Sequence, residues 1–265
     1  MKTANRRRPF AVITGASRGI GAAYARALAH RGFDMLLVSR DHTRLQTLVN
    51  DLQNTHRVDI HTALLDLAQP DAGHQLFVLS RQQRDRIDLL INNAGFGLYG
   101  RFADMPLPRI QEMLRLHINT VIDSTRLFLP SMIDQRAGAI INVASTAGLL
   151  PLPFLAEYAA TKAFLISFSE ALAEEVRLFG VYVQACCPGY TKTDFHQTAG
   201  AKPQYPLKAH TPEEVVQASL QGLDRGRSHV TVGWQGRFTD WVTRYFPRTM
   251  LVRMAGKRIK YARNC

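Results

Sequence analysis

The stretch FAVITGASRGIG, residues 10–21, joins a short apolar run to a glycine-rich turn, and a helical pattern follows at once. Glycines tighten such a turn and let the backbone approach a phosphate group, whose charge then lies at a helix N-terminus. A lone glycine turn is equally consistent with a plain strand-to-helix connection. The strand before this turn and the helix after it favour the opening β-α unit of a nucleotide-binding fold.

The same alternation of short apolar runs and helical patterns continues along the chain. Seven runs have the length of buried strands: 10–14, 34–39, 59–65, 88–92, 139–144, 181–187 and 229–232. Helical periodicity lies between them, for example at 20–31, 43–54 and 157–178. The alternation predicts an α/β fold, a single doubly wound Rossmann-like domain with a parallel sheet of about seven strands and helices on both faces.

Composition indicates a soluble globular chain. The 265 residues are 46% hydrophobic, and they fit one large domain better than two small ones. Cysteines number only three, Cys186, Cys187 and Cys265, so we expect no disulfide framework and a reducing cytoplasmic location. Cysteine and histidine spacings do not form a metal-binding pattern, and no metal is expected.

Two other readings of the chain concern membranes and export. No apolar run approaches the roughly 18 residues that a membrane-spanning helix needs. The pair Arg7-Arg8 before an apolar run is similar to a twin-arginine leader. We reject a leader, because the apolar part ends after a few residues in the glycine turn.

The net charge of +12 is carried by the two ends of the chain. Lys2, Arg6, Arg7 and Arg8 contribute +4, and residues 225–265 hold ten basic residues against Asp240 alone, contributing +9. The middle is therefore close to neutral, at −1. No nucleic-acid recognition motif accompanies the charge, and we expect no nucleic-acid partner.

The C-terminal segment carries an amphipathic pattern. Five apolar residues, Phe238, Trp241, Val242, Tyr245 and Phe246, fall on one helical stripe before Pro247. A second segment, 249–262, mixes Met250, Leu251, Met254 and Ile259 with basic residues. Two interpretations stay open: peripheral contact of residues 234–265 with a membrane surface, or a helix packed over a substrate mouth or another subunit.

The end of the second predicted strand bears on cofactor choice. A dinucleotide site usually offers the adenosine ribose an acidic residue there, or a basic group to a 2′-phosphate. This chain has Ser39 followed by Arg40, and Arg18 lies within the glycine turn. The two guanidiniums favour NADP(H) over NAD(H). The neighbouring Asp41 is predicted to be the N-cap of the next helix.

A tyrosine and a lysine, Tyr158 and Lys162, stand four residues apart, and Ser145 lies thirteen residues upstream of the tyrosine. On a helix the pair shares one face, where an ammonium can lower the pKa of a phenol toward a useful range. The spacing alone is weak evidence, since a packed tyrosine beside a solvated lysine produces it as well.

Taken in order, these motifs make the chain similar to the short-chain dehydrogenase/reductase superfamily over residues 9–232. Residues 14–21 match its TGxxxGxG turn, Asn92-Asn93-Ala94-Gly95 its NNAG motif, Pro188-Gly189 its PG motif, and Tyr158 with Lys162 its YxxxK motif. The resemblance divides the chain into a basic N-terminal arm (1–8), an NADP-binding domain (9–232) and a basic amphipathic C-terminal extension (233–265).

The resemblance also implies the site residues. It assigns catalysis to Asn119, Ser145, Tyr158 and Lys162. It assigns cofactor contacts to Gly15, Ser17, Arg18, Gly19, Ile20, Gly21, Ser39, Arg40, Asp66, Leu67, Asn93, Ala94, Gly95, Tyr158, Lys162, Pro188, Gly189, Thr191 and Thr193. Asp66 is the residue implied to contact the adenine ring.

The implied reaction is NADP(H)-dependent interconversion of a carbonyl and a secondary alcohol. In this scheme Ser145 binds the carbonyl oxygen, Tyr158 donates the proton, and Lys162 lowers the tyrosine pKa and binds the nicotinamide ribose. Asn119 holds a water in this scheme, and the less favoured alternative is a helix residue bonded to backbone. Two alternatives to the enzyme stay open: a catalytically silent NADP-binding sensor or scaffold, and a membrane-surface interaction protein.

Three loops are expected around the nicotinamide, since ligands bind beyond the carboxyl ends of parallel strands. They are residues 96–99, the apolar segment 147–155 and the long segment 190–210, which could act as a lid with Phe195 and Tyr205. We predict a small hydrophobic substrate that is acyl-like, steroid-like or xenobiotic. Alternatively, residues 149–155 pack against a partner subunit. His196 and His210 could reach the substrate, but lone histidines in loops are more often solvated, and we expect them to be solvated.

The resemblance implies a homodimer or homotetramer as well. The family's usual contact runs through the helices that carry Asn119 and Tyr158.

Overall fold

The computed structural model describes residues 7–195 and 209–261. Within them one parallel sheet contains seven strands: β1 (Phe10–Thr14), β2 (Asp34–Ser39), β3 (Ile60–Leu64), β4 (Leu89–Asn92), β5 (Gly138–Val143), β6 (Val181–Cys187) and β7 (His229–Thr231). Their order across the sheet is β3-β2-β1-β4-β5-β6-β7. The predicted sheet is confirmed, and the predicted strands differ from it only at their ends.

Helices connect the strands and extend beyond the last one. They are α1 (Gly19–His30), α2 (His42–Thr55), α3 (Ala72–Gln83), α4 (Leu107–Leu114), α5 (Thr120–Asp134), α6 (Ala156–Val176), α7 (Pro212–Asp224), α8 (Gly233–Tyr245) and α9 (Arg248–Tyr261). A π-helical turn, Arg115–Asn119, joins α4 to α5. Short 3₁₀ turns span Phe102–Asp104, Thr146–Leu149 and Arg177–Phe179.

Helices cover both faces of the sheet. Since successive residues of a strand point to opposite sides, neighbouring residues pack against different helices. Ile13 of β1 packs with α1, α2 and α7, whereas its neighbour Val12 packs with α3, α5 and α6. Both side chains are fully buried. The predicted doubly wound arrangement follows from this two-sided core.

Local sequence signals explain where the helices near the site begin. The Asp41 carboxylate accepts a hydrogen bond from the Arg44 backbone N–H at 3.0 Å, so the predicted N-cap is confirmed. Helix α1 lies close to the sheet because its buried face consists largely of alanines: Ala22, Ala23, Ala25 and Ala29.

The strand order reverses between β1 and β4, which pair in parallel with Ile13 opposite Ile91. The chain runs outward from β1 to β2 and β3 on one side, and from β4 to β7 on the other. Loops leaving β1 and β4 therefore separate and open a crevice at their carboxyl ends. This crevice is where the glycine turn and the NNAG segment meet.

The two C-terminal helices lie over the same end of the sheet. Helix α8 packs against the turn Thr146–Leu149. On α9, a Cβ added at Gly256 would lie 3.1 Å from Cγ of Pro153, so this helix is in close contact with the apolar segment 147–155. Of the helices in the described ranges, none is long and apolar enough to cross a membrane.

Candidate active site

The glycine turn is held against the end of β4 by side-chain hydrogen bonds. The Asn93 amide donates to the backbone oxygens of Thr14 and Gly15 at 2.9 and 3.1 Å. The Thr14 hydroxyl accepts from the backbone N–H groups of Asn93 and Ala94. A Cβ added at Gly21 would lie 2.2 Å from the Gly15 oxygen, so only glycine permits this tight turn.

The N-terminus of α1 opens into the crevice. Among the described residues, no side chain caps this terminus, and its first turn contains no acidic residue. The backbone N–H groups of Gly19, Ile20 and Gly21 stand at its positive end, where a pyrophosphate binds favourably. The cradle therefore fits the nicotinamide dinucleotide that the sequence predicts.

Arginines surround the position that selects between NADP(H) and NAD(H). The Ser39 hydroxyl donates to the Ser17 hydroxyl at 2.8 Å, so two predicted cofactor residues meet there. Arg40 is mostly exposed and lies 3.6 Å from the Asp66 carboxylate. The Asp194 carboxylate lies between Arg18 and Arg44, at 3.6 and 3.1 Å.

Arg44 is a candidate phosphate-binding residue that the sequence analysis missed. It lies in the first turn of α2 and is fixed there because the Asp41 cap sets where that helix begins. The Asp41 carboxylate also lies 3.5 Å from Arg44 Nε. The Asp41 carboxylate therefore interacts with the start of α2. A predicted cap followed by arginine at the third helical position was the signal that could have found Arg44.

The loops after β3 and β6 are fixed to neighbouring elements at the carboxyl end of the sheet. The Leu67 carbonyl accepts from the Thr120 hydroxyl at 2.7 Å, which fixes the loop containing Asp66 to the start of α5. After β6, the Thr146 backbone N–H donates to the Pro188 oxygen at 2.9 Å.

Thr191 and Thr193 follow on the same segment. The Thr191 hydroxyl donates to the Gly189 oxygen at 3.0 Å. Thr193 lies beside the glycine turn, since a Cβ added at Gly19 would be 3.0 Å from its methyl group. These contacts bring the PG segment to the predicted crevice.

Tyr158, Ser145 and Lys162 are brought together at the same end of the sheet. The Ser145 hydroxyl hydrogen-bonds the Tyr158 phenol and accepts from the Ala147 backbone N–H at 3.1 Å. The Lys162 ammonium donates to the Val143 oxygen at 2.8 Å and lies 5.8 Å from the centre of the tyrosine ring. All three occupy the carboxyl end of β5 and the first turns of α6.

Burial controls the ionisation of the pair. It raises the pKa of Tyr158 well above its usual value, and the hydrogen bond from Ser145 opposes this only in part. Burial lowers the pKa of Lys162 to about 8. The expectation that Lys162 brings the tyrosine pKa down is not met in this structure, because desolvation by burial is the largest influence on that pKa and raises it. Tyr158 is therefore a protonated phenol here.

Asn119 and His117 lie on different sides of the π turn. Asn119 ends the turn with an exposed side chain, so its catalytic role stays a prediction. His117, two residues earlier, is 1% exposed, and its ring centre lies 5.9 Å from that of Tyr158. Burial and the Lys162 charge both lower the pKa of His117, so its imidazole is neutral. The sequence analysis missed this residue.

The hydrogen bonds of His117 define its tautomer. Its Nε2 accepts from the Phe96 backbone N–H at 3.1 Å, so Nδ1 carries the proton and faces the Thr161 hydroxyl at 3.0 Å. Thr161 in turn donates to the Tyr158 backbone oxygen at 2.8 Å. His117 therefore links the loop after the NNAG motif to the helix that carries Tyr158 and Lys162.

Helical spacing is the signal that could have found this residue. His117 lies four residues after the fully buried Met113 and four before the buried Val121, and residues at this spacing share a face. Asn119 falls instead on the side of exposed Ile122 and Arg126.

An apolar cluster surrounds Tyr158. Its members are Met113, Leu155 and Tyr158, with Phe96, Leu98, Tyr99, Ala147, Leu152 and Phe195 packed against them. The loops 96–99 and 147–155 and the beginning of 190–210 therefore converge on Tyr158. That they surround a nicotinamide stays a prediction. Tyr205 and His196 lie outside the described residues.

Two further expectations concern the surrounding loops. Part of the segment 149–155 is packed within the chain, since Leu152 and Leu155 belong to the apolar cluster. The expectation that His210 is solvated is wrong, because its side chain is 15% exposed and lies 3.4 Å from the Glu214 carboxylate.

Residues 7–195 and 209–261 contain no group of three or more histidine, cysteine, aspartate or glutamate residues that could hold a metal ion.

Comparisons with known proteins agree with this geometry. A family model described as short chain dehydrogenase matches residues 9–204. The chain is 34% identical over 247 residues to the very-long-chain 3-oxoacyl-CoA reductase-A of Danio rerio, and the match covers 91% of this chain and 71% of that protein.

Solved structures are similar as well. A short-chain dehydrogenase from Sphingobium yanoikuyae in complex with NADPH has a TM-score of 0.81 and 32% identity, covering 92% of this chain and 94% of that one. The bulky-bulky ketone specific alcohol dehydrogenase from Comamonas testosteroni has a TM-score of 0.76 and 30% identity, covering 89% and 92%. The chain therefore belongs to the short-chain dehydrogenase/reductase superfamily and is an oxidoreductase of that type.

Proposed function

We propose that this oxidoreductase uses NADP(H) to interconvert a ketone and a secondary alcohol on a hydrophobic, acyl-like substrate. One observation carries the proposal. A protonated Tyr158 phenol, bonded to Ser145 and one helical turn from Lys162, forms part of the wall of an apolar cluster. That arrangement can protonate the oxygen of a bound ketone while excluding water from it.

The cofactor is assigned to the residues of the crevice. The N-terminus of α1 would hold the pyrophosphate, and the loops containing Asp66 and Asn93 would contribute further contacts with the cofactor. Arg18, Arg40 and Arg44 support a 2′-phosphate, with a serine at position 39 where a ribose-binding carboxylate would stand. When bound, the cofactor supplies or accepts the hydride.

The chain's own residues handle the proton and the substrate oxygen. Ser145 binds the carbonyl oxygen, and Tyr158 donates its proton as negative charge develops there. Lys162 is assigned to the nicotinamide ribose, whose hydroxyls its ammonium would bind. His117 is assigned a positioning role, because it holds the Tyr158 helix against the cofactor loop without touching the reacting atoms.

The substrate class follows from the cluster and from the relatives. Phe96, Leu152 and Phe195 provide aromatic and aliphatic surface around the phenol. A protein 34% identical is named a very-long-chain 3-oxoacyl-CoA reductase, and a structure 30% identical is specific for bulky-bulky ketones. Both substrates are ketones with large apolar groups, so a 3-oxoacyl thioester is the first candidate.

The division into an N-terminal arm (1–8), an NADP-binding domain (9–232) and an extension (233–265) remains our proposal, as does a homodimer or homotetramer in a reducing cytoplasm. A silent cofactor-binding sensor is the alternative of another kind. It is disfavoured because Ser145, Tyr158 and Lys162 lie together in the site.

The experiment is a panel of 3-oxoacyl-CoA thioesters of increasing chain length, bulky ketones and short ketones, each followed by NADPH consumption. We expect turnover that rises with the apolar size of the substrate. Saturable NADPH binding with no turnover on any substrate of the panel, or selective turnover of small polar ketones, contradicts the proposal.

A further inference from the structure

Helix α8 presents its apolar side to the outside of the molecule. Trp234, Phe238, Trp241 and Tyr245 are 66%, 58%, 51% and 70% exposed. The opposite side of the helix, against the protein body, includes Gly236, which is buried. A helix packed only onto its own core is expected to show the reverse pattern.

The exposed rings form one continuous patch. The ring centre of Trp241 lies 6.1 Å from the ring centre of Phe238, 5.2 Å from that of Tyr245 and 6.4 Å from that of Phe246. On the next helix, Met250 and Met254 are 42% and 58% exposed. Single exposed apolar residues are common, but a contiguous aromatic patch marks an interaction surface.

Basic side chains accompany this patch. Arg237 follows Trp234 on α8, and Arg248, Arg253 and Lys257 lie on α9, all with exposed side chains. Arg253 and Lys257 line a shallow groove with Met250 and Met254. The whole segment 225–265 carries +9. We call the exposed residues of α8 and α9 together the C-terminal face.

The C-terminal face is continuous with the substrate loops. A Cβ added at Gly236 of α8 would lie 3.2 Å from the Thr146 methyl group, and Thr146 is adjacent to Ser145. Helix α9 contacts Pro153 through Gly256. An apolar molecule leaving a surface in contact with this face would therefore meet the loop that borders Tyr158.

We propose that the C-terminal face docks on an anionic lipid bilayer, with the rings of α8 inserted among the lipids and the arginines and lysine on the headgroups. Tryptophan and tyrosine suit this position, since their rings are amphipathic. The positive charge selects an anionic surface. It disfavours a second copy of the same face, because two such segments would bring their positive charges together.

The test uses the full chain and its own tryptophans. The protein contains two, Trp234 and Trp241, and both lie on this face. Vesicles of phosphatidylcholine with phosphatidylserine are expected to shift the fluorescence to shorter wavelength, and brominated acyl chains to quench it. Vesicles of phosphatidylcholine alone are expected to bind at least tenfold more weakly, and added salt to weaken binding to the anionic vesicles.

Variants identify the surface. Phe238→Ser combined with Tyr245→Ser keeps both tryptophans and is expected to weaken vesicle binding at least tenfold, as is Arg248→Glu with Arg253→Glu. Matched controls at exposed residues elsewhere, Phe102→Ser and Leu178→Ser, are expected to bind like the parent chain. An unchanged circular dichroism spectrum and an unchanged unfolding temperature show that each variant is folded.

The proposal is overturned if the variants of the C-terminal face bind anionic vesicles as strongly as the parent chain does. It is also overturned if the parent chain fails to bind them. A change of oligomeric state in these variants, without any lipid binding by the parent chain, assigns the face to a subunit contact instead. Catalytic turnover is not used as a readout, so failure of the proposed function would leave this test intact.

Discussion

Nδ1 of His117 lies 3.0 Å from Oγ1 of Thr161, and this contact joins the π turn before α5 to the helix that carries Tyr158 and Lys162. Because Nε2 of the same ring accepts from the Phe96 N–H, one neutral imidazole connects the loop after the NNAG motif to the Tyr158 helix. The position of this loop relative to Tyr158 therefore depends on His117.

Replacing this residue tests the positioning role. His117→Leu leaves the partly buried Phe96 N–H without its acceptor, which costs about 1 kcal/mol of unfolding free energy. We expect kcat to fall while NADPH affinity changes little. His117→Gln retains an acceptor, so it is expected to recover part of the unfolding free energy and part of kcat. The control His74→Gln, on the exposed side of α3, is expected to change neither quantity.

The same residue makes an acid-stability prediction. Its pKa is lowered in the folded chain, so below about pH 6.5 the unfolded chain binds the proton more readily and folding stability falls with falling pH. We would measure the unfolding free energy from pH 7 to pH 5, and it should fall less steeply for His117→Gln than for the parent chain. Identical slopes would refute the assignment of a buried, neutral imidazole.

Tyr158→Phe removes the proton donor and keeps the ring in its apolar cluster. General acid catalysis is worth roughly 10²–10⁴-fold, so turnover of a ketone should fall by that range. Calorimetry should show NADPH binding within a few-fold of the parent. Tyr182→Phe is the matched control, because Tyr182 is 53% exposed on β6. Undiminished turnover in Tyr158→Phe would eliminate its assigned role.

Replacing Lys162 is expected to raise the stability of the folded chain while it abolishes turnover. Burial lowers its pKa from 10.5 to about 8, which costs the folded chain up to about 3 kcal/mol while the lysine is charged in both states. Lys162→Met should therefore raise the unfolding temperature at pH 7 and abolish turnover. The gain should shrink above pH 8, where the folded parent chain releases the proton. Lys257→Met, at an exposed site, should show no such pH-dependent gain.

Cofactor preference tests the arginine assignment. Arg40→Ala and Arg44→Ala each remove a charge-assisted contact worth about 1.5–3 kcal/mol, so NADPH affinity should drop roughly tenfold or more. NADH affinity should remain nearly constant. Arg31→Ala is the control, because Arg31 pairs with Asp224 at the far end of α1. A parent chain that binds NADH more tightly than NADPH would reverse the proposed preference.

Local signals predicted the parts of the site that depend on neighbours in sequence. The glycine turn and the Asp41 cap belong to this class, because each is decided within a few residues. The segment around His117 shows where such reasoning ends. Helical spacing places His117 on the buried side with Met113 and Val121, but its ring contacts the Phe96 N–H and the Thr161 hydroxyl, which are distant in sequence. No pattern within a few residues of His117 specifies those contacts.

Two other differences come from burial. The sequence shows that Tyr158 and Lys162 are four residues apart and share a helix face. It does not show whether the tyrosine pKa is raised or lowered, because that depends on desolvation by residues from several loops. The C-terminal stripe was likewise found from its periodicity. Periodicity shows that a helix has an apolar side, and only the packing of α8 shows that this side points outward.

Gly95 has no side chain at the point where the His117 ring approaches it, and a Cβ there would lie 2.8 Å from Nε2. The two positions are therefore coupled in any pair of substitutions. Alanine at 95 is tolerable only with a smaller residue at 117, and a variant carrying both changes should be less damaged than the separate effects predict. In an evolving lineage, these two sites are expected to change together or not at all.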